Sequence, residues 1–265
     1  MSSEYSYDEI FQRNIGIFTP EEQEKIKNLK VAIAGAGGLG GPVAYILARL
    51  GVGEIRLADA DKFEASNLNR QFGAYIDTIG KYKAEAISEE LKRINPYLKV
   101  RFWNEFIDEN NVDEFLDKTD VVIDAIDFFE LKNEIILHLE ARKRNLWVFT
   151  SQAAKEILSF TSFNPSGKSI LDAIMINGTP DLRKAISFFF PVLPKGVTPE
   201  IIDNIIGTNQ LHIASHATPP SIGSGYLVEE IIKVAIRGVA PLAEAPAIFI
   251  VDLEKMFIKK FEIGE

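Results

Sequence analysis

Leu29-Lys-Val-Ala-Ile-Ala-Gly-Ala-Gly-Gly-Leu-Gly40, continuing through Pro42-Val-Ala-Tyr-Ile-Leu-Ala-Arg-Leu50, decides the fold. A short apolar run ends in glycines and gives way to helical spacing, which is the signature of strand, tight turn and helix. Gly35, Gly37 and Gly40 fit the pattern G-x-G-x-x-G. Glycine suits such a turn because the chain bends sharply and its amides must approach phosphate without a Cβ in the way, beside the positive end of the helix. Asp59 follows about 20 residues later at the end of a second strand, where a carboxylate can accept from ribose hydroxyls. The pair predicts a nucleotide and does not choose which.

Working outward, the spacing predicts strands over residues 54–59 and 98–103, with an amphipathic helix over 81–94 stopped by Asn95-Pro96. Val121 to Ala125 reads as a fully buried strand, 130–144 as a helix with a basic last turn, and 146–150 as the next strand. These elements predict a Rossmann-like, doubly wound α/β domain with a mainly parallel sheet. Beyond residue 151, the stretches 157–163, 245–251 and 255–261 alternate like sheet strands with one wet face and predict antiparallel C-terminal strands at one edge. Residues 164–220, rich in Pro and Gly, read as a long irregular segment serving as a lid or partner surface, followed by a helix over 222–237. The organisation expected is one domain over 1–265: an N-terminal helical arm (1–28), a nucleotide-binding half (29–152) and a substrate or dimer half (153–265).

Composition narrows the function. With 29 Lys+Arg against 38 Asp+Glu, the 265-residue chain has a net charge of −9, which argues against a nucleic-acid backbone as its main ligand. No stretch approaches the roughly 18 to 20 apolar residues that span a bilayer, and the first residues lack a basic segment before an apolar one. A cytoplasmic protein without a membrane partner is expected. There is no Cys, so the chain supplies no thiolate for a thioester, no cysteine clip for zinc and no redox disulfide. No zinc is expected.

The run Ser66-Asn-Leu-Asn-Arg-Gln71 has no purpose in a nicotinamide enzyme. Together with Gln12-Arg13-Asn14, the glycine turn, Gly51-Val-Gly53, Asp59-Ala-Asp61, Gly80-Lys-Tyr-Lys83, Asn95-Pro96 and Asp120-Val-Val-Ile-Asp-Ala-Ile-Asp127, it resembles the ThiF/MoeB/HesA superfamily of ubiquitin-activating-like adenylyltransferases. The matches run from Arg13 to about Gln152. The resemblance implies that Gly35, Gly37, Gly38 and Gly40 line ATP and that Asp59 holds the ribose. Asn67, Arg70 and Lys83 would engage the triphosphate, Asp61 and Ser66 belong to the same nucleotide-binding motifs, and Asp127 would hold Mg²⁺. Arg13 would reach the γ-phosphate in a neighbouring subunit, which implies a homodimer. Charge explains the residue types: an attacking carboxylate and ATP repel one another, so cations must offset the charge and hold the α-phosphate in line.

The expected reaction is adenylation of a carboxylate with release of pyrophosphate. The acceptor implied by the superfamily is either the C-terminal Gly-Gly of a ubiquitin-like sulfur-carrier protein or a smaller carboxylate, including the modified nucleoside of a tRNA threonylcarbamoyladenosine dehydratase. The missing cysteines, the Phe128-Phe129 step where the family commonly has Asn after its acid, and the long middle segment favour a small-molecule or cofactor-precursor carboxylate; tRNA is compatible but not favoured. An NAD-dependent oxidoreductase leaves Arg70, Lys83 and Asp127 unexplained, and a non-catalytic nucleotide binder leaves the retained phosphate residues unexplained. Phe128 and Phe129 suggest an apolar wall for a ring-bearing ligand, or ordinary packing. Phe188 to Pro194 suggests a lid, a dimer surface or core. His212 and His216 stand one turn apart but lack the Glu of a zinc-protease motif, and Asn164 to Ser169 has Ser162 where a phosphate loop needs glycine.

Overall fold

The computed structural model describes residues 4–208 and 214–263. Eight strands form one sheet: β1 (Lys30–Ala34), β2 (Glu54–Ala58), β3 (Lys99–Trp103), β4 (Val121–Asp124), β5 (Trp147–Ala154), β6 (Ile157–Phe163), and, after a separate hairpin of β7 (Met175–Ile176) with β8 (Thr179–Pro180), β9 (Ala247–Asp252) and β10 (Phe257–Glu262). Their order is β10-β9-β6-β5-β4-β1-β2-β3, with parallel pairing from β3 through β5 and antiparallel pairing from β5 to β10. The parallel core and antiparallel C-terminal edge expected from the sequence are both present. The N-terminal helices are α1 (Tyr7–Phe11), α2 (Pro20–Asn28), α3 (Gly40–Leu50), α4 (Lys83–Ile94), α5 (Val112–Phe115) and α6 (Leu131–Lys143); α7 (Ile170–Ile174), α8 (Leu182–Phe189), α9 (Pro199–Thr208) and α10 (Thr218–Ile231) follow.

Strand alternation divides the core into two layers. Val31 and Ile33 of β1 pack with residues of α3, α4 and α10, whereas Ala32 and Ala34 face the layer that contains Phe115, Leu137 and Phe189. Helices therefore cover both faces, as a parallel sheet requires.

The first helices are docked to this frame. Thr19 and Glu22 form a capping box at the start of α2, with Pro20 in its first turn, where a missing N–H costs no hydrogen bond. The Tyr7 hydroxyl donates to Gly51 O at 2.8 Å and accepts from Gln23 Nε2 at 2.8 Å, tying α1 and α2 to the C-terminus of α3. Burial pushes the Tyr7 hydroxyl up to about 12.

Three expectations are corrected. The described part of 164–220 is not an irregular segment: it holds α7, α8, α9 and the hairpin. Its prolines sit at element boundaries, with Pro199 opening α9 and Pro191 following α8, and Asn177-Gly178 make the hairpin turn with φ values of 50° and 82°. Strand β5 runs on to Ala154, because β6 pairs with it antiparallel from Val148 onward. Helix α10 begins at Thr218 with prolines in its first turn, and residues 232–236 continue it as a π-helical turn.

Candidate nucleotide and acceptor site

The strand order reverses between β1 and β4, and the carboxyl ends of β1, β2 and β4 deliver the candidate residues to one crevice, the expected position for a ligand in such a sheet. Gly35 follows β1 with φ +98°, and its N–H donates to Ala58 O at 2.7 Å. A Cβ on Gly35 would stand 2.1 Å from Ala125 O, and one on Gly40 would stand 1.9 Å from Gly35 O, so both positions require glycine for the turn itself. Gly37 and Gly38 differ, since a Cβ there would be 3.7 Å from Gln71 Nε2 and 3.7 Å from Pro220 Cβ, respectively. Their bareness exposes backbone to the cavity rather than relieving a clash.

Asp59 follows β2. Its Oδ2 accepts from Ala36 N–H at 2.7 Å and its Oδ1 from Asp61 N–H at 2.8 Å. Burial pushes its carboxyl above the usual carboxylate value, opposed by the Lys83 charge and the two amides. Lys83, the first residue of α4, is 6% exposed, and its Nζ lies 2.8 Å from Asp61 Oδ2. Arg70 is half-buried, donates to Ser66 O at 3.0 Å and to Asn69 Oδ1 at 2.9 Å, and forms no ion pair among the described residues.

Gly35, Gly37, Gly38, Asp59, Asp61, Arg70, Lys83 and Asp127 line a single cavity of about 370 Å³. Gly40, Ser66, Asn67 and Arg13 do not line it. Asn67 is buried; its Oδ1 accepts from Glu64 N–H at 3.0 Å, and its carbonyl accepts from the N–H groups of Arg70 and Gln71 at 3.0 and 2.9 Å. It therefore shapes the turn that carries Arg70. Arg13 is exposed on a short 3₁₀ turn, Gln12–Asn14, of the N-terminal arm. Asp127, at the exposed end of the β4 loop, accepts from Phe129 N–H through Oδ1 at 3.2 Å.

The second half of the cavity comes from the middle segment. Phe128 meets Phe189 edge-on with ring centroids 5.4 Å apart and Phe190 at 6.1 Å. Of the Phe188 to Pro194 run, Phe188, Phe189 and Phe190 are buried as core, whereas Pro191, Val192 and Leu193 are half-buried, and Phe190, Leu193 and Pro194 line the cavity. His216 is exposed and accepts from Thr218 N–H through Nδ1 at 3.4 Å; His212 lies outside the described residues. The Asn164 to Ser169 turn is closed by Gly167 N–H donating to Asn164 O, and Ser169 caps α7.

Two groups escaped the sequence reading. Gln71 lines the cavity, and its Oε1 is buried without a hydrogen-bond partner among the described residues. Behind the β4 loop, Asp124, Glu134 and His138 are all buried with ligand-type atoms within 4.8 Å of one another. Burial and the Asp124 carboxylate raise the Glu134 carboxyl well above its usual value, which favours its protonated form beside Asp124, whose Oδ2 lies 2.9 Å from His138 Nε2. The i, i+4 spacing of Glu134 and His138 on α6 was visible, but nothing in it pointed to a partner on β4.

The ThiF family profile matches residues 11–264. The tRNA threonylcarbamoyladenosine dehydratase of Haemophilus influenzae is 32% identical over 184 residues, covering 69% of this chain and 70% of that protein. The enzyme of the same name from Bacillus subtilis is 29% identical, covering 84% of this chain and 94% of that protein. Among solved structures, PaaA superposes with a TM-score of 0.73 at 22% identity, covering all of this chain (100%) and 78% of that one, which shows the shared fold. With a matched profile spanning nearly the whole chain and the glycine turn in place, the chain belongs to the ThiF family and is an ATP-binding adenylyltransferase.

Proposed function

We propose that the cavity brings the α-phosphate of ATP and a small-molecule or cofactor-precursor carboxylate together, so that the carboxylate oxygen bonds to phosphorus, pyrophosphate leaves, and an acyl-adenylate remains. The observation that carries this reading is the meeting, in one cavity, of the glycine turn, Asp59, Arg70, Lys83 and Asp127 with an apolar compartment beside them. Asp59 accepts from the ribose, while Arg70 and Lys83 offset phosphate charge and orient the leaving group. The residues fit a divalent cation: Asp127 is exposed to the cavity and has no ion pair among the described residues. Asp127 would hold Mg²⁺ there, which would offset charge on the phosphates. With no Cys in the chain, the adenylate passes to an external nucleophile.

Arg13 serves the site of a neighbouring subunit, so the enzyme works as a homodimer. Its place on an exposed turn outside the cavity of its own chain supports that reading. Among the described residues no helix is long and apolar enough to cross a membrane, and we infer a cytoplasmic enzyme from its use of ATP.

A tRNA-borne carboxylate is the second reading, favoured by the similarity to the two dehydratases. ATP–pyrophosphate exchange with Mg²⁺ and separated small-molecule, protein and tRNA fractions decides between them. Exchange driven by small molecules is expected; exchange driven only by tRNA or only by protein overturns the choice of acceptor, and no exchange with any fraction overturns the reaction.

A further inference from the structure

Two kinds of wall meet in the cavity. Toward the glycine turn the lining is polar and carries its cations, Arg70 and Lys83; no other Lys or Arg lines the cavity among the described residues. Lys83 is already held by Asp61 at 2.8 Å. The other charged residues of the lining, Asp59, Asp61, Glu105, Asp127 and Glu130, are all carboxylates, and the last two bracket Phe128-Phe129.

Beyond Phe128 the lining turns apolar. Helix α8 presents Ile186, with Phe190 directly after it, and α9 presents Ile202 and Ile205. Phe128 is fixed from behind by Phe189, which is 1% exposed, so its ring is a rigid face rather than a mobile side chain. Rigid aromatic and branched walls reward a ligand that brings apolar surface to them, and they give nothing to one that has none.

From this division we infer that the acceptor is a carboxylate whose body is uncharged and apolar, a ring or branched aliphatic group seated between Phe128 and helices α8 and α9. This rests on the adenylation reading above and sharpens it. A diglycine tail has no side chain to fill the compartment. A polyanionic acceptor meets carboxylates there, while both lining cations are engaged at the triphosphate. The reacting carboxylate is ionised, so it needs no general base: its oxygen forms the bond to the α-phosphorus, the bond from that phosphorus to the bridging oxygen breaks, and pyrophosphate carries off the electron pair.

The test uses the full chain with Mg²⁺ and ATP, and measures pyrophosphate exchange with 3-phenylpropionate, N-acetyl-phenylalanine and N-acetyl-leucine against N-acetyl-diglycine and N-acetyl-aspartate. The apolar acids are expected to exchange with kcat/KM at least tenfold higher. In Phe128→Ala, the KM of the apolar acids should rise about tenfold while the KM of ATP stays the same, and Phe128→Leu should restore most of the loss. Ile186→Asp gives an independent variant on another element, expected to move the carboxylate KM in the same direction; a thermal melt of each variant identifies any that fails to fold. Faster exchange with N-acetyl-diglycine or N-acetyl-aspartate overturns this inference and leaves adenylation standing. An equal loss for every acid in both folded variants also overturns it. No exchange with any of these acids, while a cellular fraction still drives exchange, overturns this inference alone; no exchange with any acid or any fraction, while ATP binding is measured directly by calorimetry, overturns adenylation and this inference together.

Discussion

His138 Nε2 lies 2.9 Å from Asp124 Oδ2, with both side chains almost wholly buried, at 3% and 1% exposure. Asp124 Oδ1 also accepts from Ile126 N–H at 3.1 Å, so the same carboxylate anchors the first step of the loop that leads to Asp127. The buried group behind the cavity is thus coupled by geometry to a residue in front of it.

Its third member gives a pH prediction. Glu134 holds its proton in the folded chain above the pH at which it would lose it when unfolded. The folded state then binds more protons, so its contribution to stability declines as pH rises from the ordinary glutamate value toward the raised one. Replacing Glu134→Gln keeps a hydrogen-bond donor and removes the titration. Urea unfolding at a series of pH values from 4 to 8 should show a flatter profile for the variant, with its largest relative gain at the high end; parallel profiles refute the assignment.

Asp59 titrates with the same sign and a different readout. Its carboxyl is raised by burial, so acidification should neutralise it before ordinary surface carboxylates and weaken its hold on ribose hydroxyls. ATP affinity measured by calorimetry should fall on acidification at a pH above the ordinary aspartate value. Asp59→Asn should bind ATP more weakly at pH 7 and show little further change on acidification.

Arg70 should be the costliest single cation to lose. Arg70→Ala is expected to slow pyrophosphate release by roughly 30- to 1000-fold, as removal of a charge-assisted contact at the transition state costs about 2 to 4 kcal/mol. Its melting temperature should change little, because the guanidinium forms no ion pair among the described residues. Wild-type turnover in this variant would remove Arg70 from the site.

The glycines separate into two classes. Gly35→Ala should destabilise the fold by more than the ~1–2 kcal/mol expected for a left-handed backbone alone, since its Cβ also meets Ala125 O at 2.1 Å. Gly37→Ala has room, with nothing closer than 3.7 Å, so it should melt normally and lose ATP affinity instead. Thermal melts paired with ATP titrations distinguish the two.

The parallel half of this architecture was legible because its signals are local. The glycine turn, Asp59 and the buried run of β4 each sit within a few residues that carry their own meaning. The middle segment was misread for the converse reason: Pro199 and Pro191 mark helix ends, but a high proline content reads as irregular until those ends are located. Site residues divided likewise. Asp59, Lys83 and Asp127 reach the cavity because strand ends and a helix start place them there, whereas Asn67 turns inward to cap its own turn, a choice made by neighbouring amides. The Asp124–Glu134–His138 group joins a strand to a helix, and no periodicity reports which polar residues will face each other across elements.

The roof of the glycine turn has a consequence for the order in which this protein becomes active. Ser224 Oγ donates to Leu39 O at 2.9 Å, and Pro220 stands over Gly38, so α10 closes a loop that the ribosome finishes long before α10 exists. A nascent chain holding only the first five strands has the glycines, Asp59 and Arg70 but no cover over the phosphates. It should therefore be an inert scaffold during synthesis, gaining its nucleotide only when α10 docks. ATP crosslinking to ribosome-stalled chains of increasing length should appear abruptly once α10 has emerged, and labelling of chains stalled before residue 218 would show that the loop is competent without its roof.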